Sequence, residues 1–315
     1  YGLNGASNNS NSTVFGVDYD YMENGQLFNE YRLRNAISGR EAEASIGLRN
    51  TWAIAEGVRI QTGFERVQPL SGDTTDEATA ITGAIEYTAN PLWKGTARLE
   101  LRRSDASESL LNTFGYARKL SRDWTSLAKN TLHLDRSRDS DAVHTRERMQ
   151  LGLAYRDTDT NLWQVLTRYE FKYDRDEGSD DLRRVHMWSG HANYHPRRPL
   201  TLSGRYAGKW VEEDSSGFEN DFMAHLLSAR LMYDFTERWD VGLIGSTLFM
   251  EGFESQQYGL GVEAGYQLAR NLWLSAGYNF FGFKDEDLDE EDASNPGVYA
   301  RMRLKFDEEM FNWLQ

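Results

Sequence analysis

An alternation of apolar and polar residues with a period of two runs along nearly the whole chain. Between 298 and 306, for example, apolar residues alternate with Tyr299, Arg301, Arg303 and Lys305. Successive side chains of a strand point to opposite faces, so this pattern predicts strands with one apolar and one charged face. Similar runs at 163–173, 200–210 and 258–268 exceed the usual strand length of about five or six residues. The chain is therefore predicted to be all-β.

A longer period lies over the first one. Five tryptophans each follow a short polar turn and open a new alternating run: Trp93, Trp124, Trp163, Trp239 and Trp273. Val58 and Leu200 hold the same place at their own turns, and the steps between the seven positions are 31 to 39 residues. A tyrosine stands before most of these turns: Tyr87, Tyr116, Tyr155, Tyr194, Tyr233 and Tyr266. Each repeat is thus predicted to be a hairpin with aromatic residues at one end.

The connections at the other ends of the hairpins are acidic. They cover 71–77, 104–108, 135–145, 174–181, 212–221, 251–254 and 285–292, and together hold 27 Asp or Glu and 3 Arg. The rest of the chain then holds 32 basic and 22 acidic residues, so the total charge of -14 hides an acidic rim on a basic-leaning body. We interpret these stretches as loops that are longer than the turns at the aromatic ends.

Counting from the turns gives about sixteen strands. Eight run towards the aromatic turns, near 40–54, 78–89, 109–119, 144–156, 182–195, 222–235, 256–268 and 297–307. Seven run the other way, near 57–68, 92–103, 123–134, 162–173, 199–211, 239–250 and 272–284, and an eighth of that direction is expected near 13–22. Residues 23–39 fit either an extended first loop or an extra pair of strands. We expect one domain over 1–315, with 1–12 as a disordered or linker start and 308–315 as a tail.

The composition narrows the class of protein. No stretch approaches the roughly 18 consecutive apolar residues of a membrane-spanning helix. The absence of Cys excludes disulfides and Cys-based zinc sites, and a net charge of -14 argues against a nucleic-acid partner. Yet 13% of the residues are aromatic in a chain whose mean hydropathy is -0.67.

An outer-membrane barrel accounts for these features better than a soluble sandwich or propeller. Such a barrel needs long tilted strands, an outward apolar face, aromatic girdles, short turns opposite longer loops and an even strand count. A soluble sheet also alternates, but its strands are usually shorter. The fold class predicted is a transmembrane antiparallel up-and-down β-barrel in the bacterial outer membrane, with the tryptophans and tyrosines above as its girdle.

A barrel of about sixteen strands encloses an aqueous lumen unless something plugs it. The basic residues predicted to line this lumen are Arg49, Arg59, Lys94, Arg98, Arg102, Lys129, Arg168, Lys172, Arg205, Lys209, Arg230, Arg301, Arg303 and Lys305. Two readings stay open. The lumen favours anions, or its charges form a structural ladder of cross-strand ion pairs that holds a wide barrel open.

Three stretches of the chain are distinctive: EYRLRNAISGREAEASIGLRNTW at 30–52, NLWLSAGYNFFGF at 271–283 and NPGVYARMRLKFDEEMF at 295–311. They resemble the C-terminal barrel of large bacterial surface proteins that carry repeated ectodomains ahead of it. The resemblance implies a membrane anchor or export module with no catalytic residues. It also implies that Leu304, Phe306 and Phe311 serve as the signal that the barrel assembly machinery reads. Because the chain starts at Tyr1, we expect a signal peptide or a larger N-terminal portion before it.

The sequence does not predict a complete catalytic or metal site. Ser189 and His191 share a strand face, but no Asp or Asn at a matching spacing would orient the imidazole. The acidic run 174–181 lacks the Gly and Glu positions of a calcium loop. We therefore expect no enzyme activity, cofactor or metal. The expected partners are outer-membrane lipid, lipopolysaccharide, the assembly machinery and an N-terminal ectodomain or plug. A free-standing anion-preferring porin is the alternative, and an outer-membrane hydrolase the third hypothesis.

Overall fold

The computed structural model describes residues 12–34, 41–71, 77–197, 199–215, 217–251, 255–269, 272–282 and 296–304. These residues form seventeen strands. They are β1 (Ser12–Met22), β2 (Gly25–Arg34), β3 (Glu41–Ala55), β4 (Val58–Ser71), β5 (Ala78–Tyr87), β6 (Trp93–Ser104), β7 (Ser107–Lys119), β8 (Trp124–Ser137), β9 (Val143–Arg156), β10 (Trp163–Asp176), β11 (Asp181–Arg197), β12 (Leu200–Ser215), β13 (Phe218–Asp234), β14 (Trp239–Glu251), β15 (Ser255–Ala269), β16 (Leu272–Phe281) and β17 (Gly297–Leu304).

Every strand pairs antiparallel with the next one along the chain, from β1 to β17, in a single sheet. The sheet is an up-and-down meander, which confirms the predicted fold class. It is not closed: in the described residues no Cα atom of β1 lies within 8 Å of one of β17. The described residues contain no helix that is long and apolar enough to cross a membrane.

The start of the chain differs from the prediction. Residues 25–34 form the single strand β2, which pairs with β1 on one side and with β3 on the other. The described part of 23–39, residues 23–34, therefore contributes one strand, where we expected either a loop or a pair over the segment. Because β2 runs antiparallel to both neighbours, β1 has the direction of β3, opposite to the one predicted for 13–22. The count becomes seventeen, and in the described residues the expected even number is wrong.

The acidic connections are shorter than expected. β6 and β7 are separated only by 105–106, and β12 and β13 only by 216–217. The strands continue beyond the apolar positions because charged side chains also pair across the ladder: Arg183 Nε lies 2.7 Å from a carboxylate oxygen of Glu213. The predicted contrast between short turns and longer loops is thus wrong for these connections.

The two faces of the sheet differ in burial and polarity. All fourteen of the most buried side chains lie on the charged face, among them Phe28, Val185, Leu226, Glu170 and Glu263. Most exposed large apolar side chains lie on the other face, such as Ile81 and Leu243, which are 59% and 50% exposed. One face of a single sheet can crowd its side chains in this way only where the sheet curves towards that face. We call the concave, charged face the inner face and the apolar one the outer face.

Candidate functional site: the charged inner face

The register places the predicted lumen residues on one face. Twelve of the fourteen share the inner face: Arg49, Arg59, Lys94, Arg98, Arg102, Lys129, Arg168, Lys172, Arg205, Lys209, Arg230 and Arg301. The Arg303 side chain and the whole of Lys305 lie outside the described part of the structure. That the basic residues of the inner face favour anions stays a prediction.

Cross-strand ion pairs connect β4, β5 and β6 on the inner face. Arg59 Nη2 lies 2.8 Å from Glu86 Oε1. Arg102 Nη2 lies 3.4 Å from Glu100 Oε1 and 3.5 Å from Glu65 Oε2. The Arg59–Glu86 and Arg102–Glu65 contacts join charges on adjacent and alternate strands, as the structural-ladder reading requires, whereas the Arg102–Glu100 contact lies within β6.

A buried carboxylate forms the first centre of this network. The side chain of Glu170 in β10 is 1% exposed. Its Oε1 accepts a hydrogen bond of 2.6 Å from Arg148 Nε, and its Oε2 accepts one of 2.8 Å from Gln150 Nε2. Arg168 Nε lies 3.8 Å from Oε2. A buried carboxylate is stable only when charged and polar partners saturate it, and these three residues do so.

A second buried carboxylate lies near the β17 end of the sheet. Glu263 in β15 forms an ion pair with Arg230 of β13, and its Oε2 accepts a hydrogen bond of 3.0 Å from the Tyr299 hydroxyl of β17. The Tyr299 ring covers Gly277, where a Cβ atom would overlap it. Gly277 lies in β16, between Tyr299 of β17 and Glu263 of β15. Because it has no side chain, the Tyr299 hydroxyl can reach across β16 to Glu263.

The inner face also carries apolar clusters that the alternation pattern does not predict. Val185, Met187 and Val211 form one buried cluster against Phe222, and Ala207, Ala224, Leu226 and Leu248 form a second against Met250. Lys209, only 4% exposed, lies between them with its ammonium 5.5 Å from the centre of the Phe222 ring. The inner face over β11–β14 thus contains two buried apolar clusters within a lumen face that we predicted to be polar and basic-leaning.

The predicted girdle residues form contacts on the outer face, next to the turns. Trp124 pairs in register with Tyr155, and the same holds for Trp163 with Tyr194 and Trp239 with Tyr266. The ring centroids of these pairs are 4.9, 4.3 and 4.7 Å apart, and those of Tyr87 and Trp93 are 4.3 Å apart. Tyr233 is also on this face, opposite Leu200 and Val241.

Trp273 does not join this row. The other four girdle tryptophans are the first residues of their strands, whereas β16 starts one residue earlier, at Leu272. A shift of one residue moves a side chain to the opposite face. Trp273 is therefore opposite Gln267 on the inner face, and Leu274 takes the outer position opposite Tyr266.

The residues considered for catalysis and for calcium binding do not form such sites in the described structure. Ser189 and His191 both lie on the inner face, opposite Ala207 and Arg205, and the described structure gives no hydrogen bond between them. In the acidic run, Asp176 Oδ1 accepts a bond of 2.8 Å from the Gly178 amide and so closes the turn. The described residues contain no group of three or more His, Cys, Asp or Glu placed to hold a metal ion. Of the predicted assembly signal, Leu304 ends β17, while Phe306 and Phe311 lie outside the described residues.

Comparison with known proteins shows the fold. No protein-family model matches the sequence, and no curated protein matches it. The structure is similar to that of the copper transporter OprC, with a TM-score of 0.58 and 12% identity, over 94% of this chain and 65% of that chain. It is also similar to the alcaligin outer-membrane receptor FauA from Bordetella pertussis, with a TM-score of 0.51 and 11% identity, over 93% of this chain and 64% of that chain.

These likenesses define an all-β wall of the outer-membrane β-barrel type. The chain spans just under two thirds of the length of each of these two structures. At 11–12% identity the likeness concerns the fold, so what those proteins transport or bind is a property of those proteins.

Proposed function

We propose that this chain is an integral outer-membrane barrel that anchors or exports a larger surface protein. The observation that carries the proposal is the difference between the two faces of the sheet. The outer face is apolar, exposed and bordered by an aromatic row, whereas the inner face holds ion pairs and buried apolar clusters. The outer face suits lipid, because an apolar surface of this extent is unfavourable in water. The resemblance of 30–52, 271–283 and 295–311 to barrels that follow repeated ectodomains supports the anchoring role.

The inner face supports a structural role more than an anion channel. Its buried carboxylates Glu170 and Glu263 are each surrounded by arginine and neutral donors, which lowers the net positive potential that would attract anions. The apolar clusters over β11–β14 are buried within the inner face itself, which also favours a structural role. No enzyme activity is proposed.

Conductance in a planar bilayer tests this function. We expect the full chain, inserted alone, to give no large, steady, anion-selective current, because the anchor works with a plugged or narrow lumen. A steady current with anion preference would contradict the anchor and favour the porin, the alternative that the basic excess of the inner face supports. A Ser189→Ala variant serves as the check on the hydrolase hypothesis: any hydrolytic activity that this change abolishes would contradict the proposal.

A further inference from the structure

An arginine row borders the apolar band at the end of the sheet opposite the aromatic turns. Arg66 of β4, Arg103 of β6 and Arg136 of β8 lie on the outer face in one continuous register. The pairings run from Arg66 to Thr79, Arg103, Glu108 and Arg136 across five adjacent strands. The strands β4, β6 and β8 thus each carry an arginine at the same height, and the Cα atoms of neighbouring arginines are about 10 Å apart. We call these three residues the arginine belt.

The row immediately below the belt is apolar. Two residues nearer the aromatic end on each strand, the same register joins five side chains: Phe64, Ile81, Leu101, Leu110 and Leu134. Phe64, Ile81 and Leu101 are 44%, 59% and 50% exposed. An exposed apolar row beside a charged row marks the boundary between hydrocarbon and headgroups, so the belt lies at headgroup level.

The partners of the belt inside the protein are weak and exposed. Arg66 Nη2 lies 2.7 Å from Glu77, Arg103 Nε lies 3.4 Å from Glu108, and Arg136 Nη2 lies 2.9 Å from Asp141. All six side chains are 48% exposed or more. Exposed ion pairs of this kind contribute little to stability and exchange readily with other partners.

We propose that the arginine belt binds the phosphate groups of membrane lipids in the leaflet at the acidic-loop end of the barrel. All three positions are arginine and none is lysine, and a guanidinium can give a phosphate two parallel hydrogen bonds where an ammonium acts as a point charge. The aromatic turns at the other end carry tryptophan at the corresponding outer positions of β6 and β8, so the two rims differ in the headgroup that they suit. This binding rests on the proposed membrane location. The arginine belt would make the acidic-loop end of the barrel specific for lipids that carry phosphate groups.

The test compares lipids that differ only in phosphate. The full chain, folded in detergent micelles, is equilibrated with diphosphoryl lipid A or with dephosphorylated lipid A, and the bound lipid is counted by native mass spectrometry. We expect wild type to prefer the phosphorylated form by tenfold or more. The Arg66→Gln/Arg103→Gln/Arg136→Gln variant should bind it on the order of 100-fold more weakly, since each basic group near an anionic surface changes binding by about fivefold.

A matched variant controls for net charge. Arg118→Gln/Arg156→Gln/Arg238→Gln removes three exposed arginines at the aromatic end and should retain the phosphorylated lipid as wild type does. Circular dichroism and heat-dependent gel mobility check that each variant is folded. If the triple belt variant does not fold, the three single variants replace it, each with a loss of about fivefold.

Three results would overturn the inference: an equal affinity for both lipids, an equal loss in the control variant, or displacement of the lipid by millimolar inorganic phosphate, which would mean an anion site without lipid specificity. These outcomes are separate from a failure of the proposed function. A chain that does not insert into a bilayer refutes the membrane location, whereas a chain that inserts without a phosphate preference refutes only the belt.

Discussion

The glutamates of the inner face differ in how deeply their charges are buried. Glu170 is 1% exposed and has three partners, whereas Glu86 is 35% exposed and pairs with Arg59, which is itself 53% exposed. When one member of a buried ion pair is lost, water cannot reach the site to take its place. The two glutamates should therefore differ in their contribution to stability.

We therefore expect Glu170→Gln to lower the free energy of unfolding by about 2 kcal/mol, below the 3–5 kcal/mol of fully buried pairs because Arg148 and Arg168 are partly exposed. The same substitution at Glu86 should cost about 0–1 kcal/mol. Urea unfolding of the folded chain, followed by tryptophan fluorescence, measures both. A Glu170→Gln cost no larger than that of Glu86→Gln would show that the Glu170 cluster is not a stabilising centre.

The sequence predicts which residues face inwards but not how deeply they are buried. Period-two alternation is a property of strands and assigned twelve of the basic side chains to one face without any knowledge of neighbours. Burial depends on local curvature, and so the apolar clusters around Val211 and Leu226 have no signal in the alternation. Trp273 shows the same limit, because a strand start displaced by one residue is not visible in a turn motif.

At the scale of the elements, adjacent hairpin turns are tied to each other by side chains. The Thr158 hydroxyl donates a hydrogen bond of 2.5 Å to Asp123 Oδ1, and Arg122 Nη2 lies 2.7 Å from Asp159 Oδ1. The hydrogen bonds from Thr158, with the nearby charge of Arg122, hold the pKa of Asp123 below its usual value. Thr160 lowers the pKa of Asp157 in the same way, within its own turn.

The lowered pKa of Asp123 gives this contact a defined dependence on pH. A folded-state pKa below the unfolded value of 3.8 contributes stability that is present above that pH and is lost as pH falls through the folded pKa. We expect Asp123→Asn to lower the unfolding midpoint at pH 6, and the difference from wild type to shrink as the pH falls below 3.8 and through the lowered folded-state pKa. Thermal unfolding between about pH 2 and about pH 6 measures it. Asp105→Asn, at an exposed carboxylate of the opposite end, is the control, and a pH-independent effect of Asp123→Asn would contradict the mechanism.

The boundaries of the elements divide into those that the sequence predicts and those that it does not. Strand starts marked by Trp93, Trp124, Trp163 and Trp239 agree with the structure because each follows a polar turn. The ends at the acidic side do not, since a charged ladder such as 212–214 against 182–184 has the composition of a loop. The sequence does not distinguish β2 from a loop for a related reason: β2 has no turn marker, and its outer positions include Asn29.

At the scale of the whole molecule, the open sheet raises the question of how its edges are satisfied. An unpaired backbone edge cannot remain in hydrocarbon, so β1 and β17 must come together or share a further strand. With seventeen strands β1 and β17 run in the same direction, so a direct seam would be parallel and a seam with one added strand would be antiparallel on both sides. Neighbouring strands are about 4.8 Å apart, and both arrangements place the edges within about 10 Å.

We expect spin labels on cysteines introduced at Asp18 and Tyr299 to show that the two edges are close when the chain is folded in a bilayer. The label-to-label distance should correspond to a backbone separation of about 10 Å plus the length of the two label side chains. Double electron–electron resonance, with continuous-wave broadening for the shortest distances, measures it, and the absence of natural Cys makes the labelling specific. The same pair in urea-unfolded chain gives the reference. A distance well beyond 20 Å in the folded state would mean that the sheet remains open and would contradict the barrel.

One face of this sheet is proposed to contact lipid while the other does not, and the accessibility of spin labels along a single strand tests this difference. Single cysteines at 97–102 of β6, carrying spin labels in the bilayer-folded chain, would be exposed to oxygen, which concentrates in lipid, and to a water-soluble nickel complex. We predict a period of two: labels at Ala97, Leu99 and Leu101 favour oxygen, and labels at Arg98, Glu100 and Arg102 do not. Equal access of the nickel complex to both sets would contradict a membrane-embedded wall.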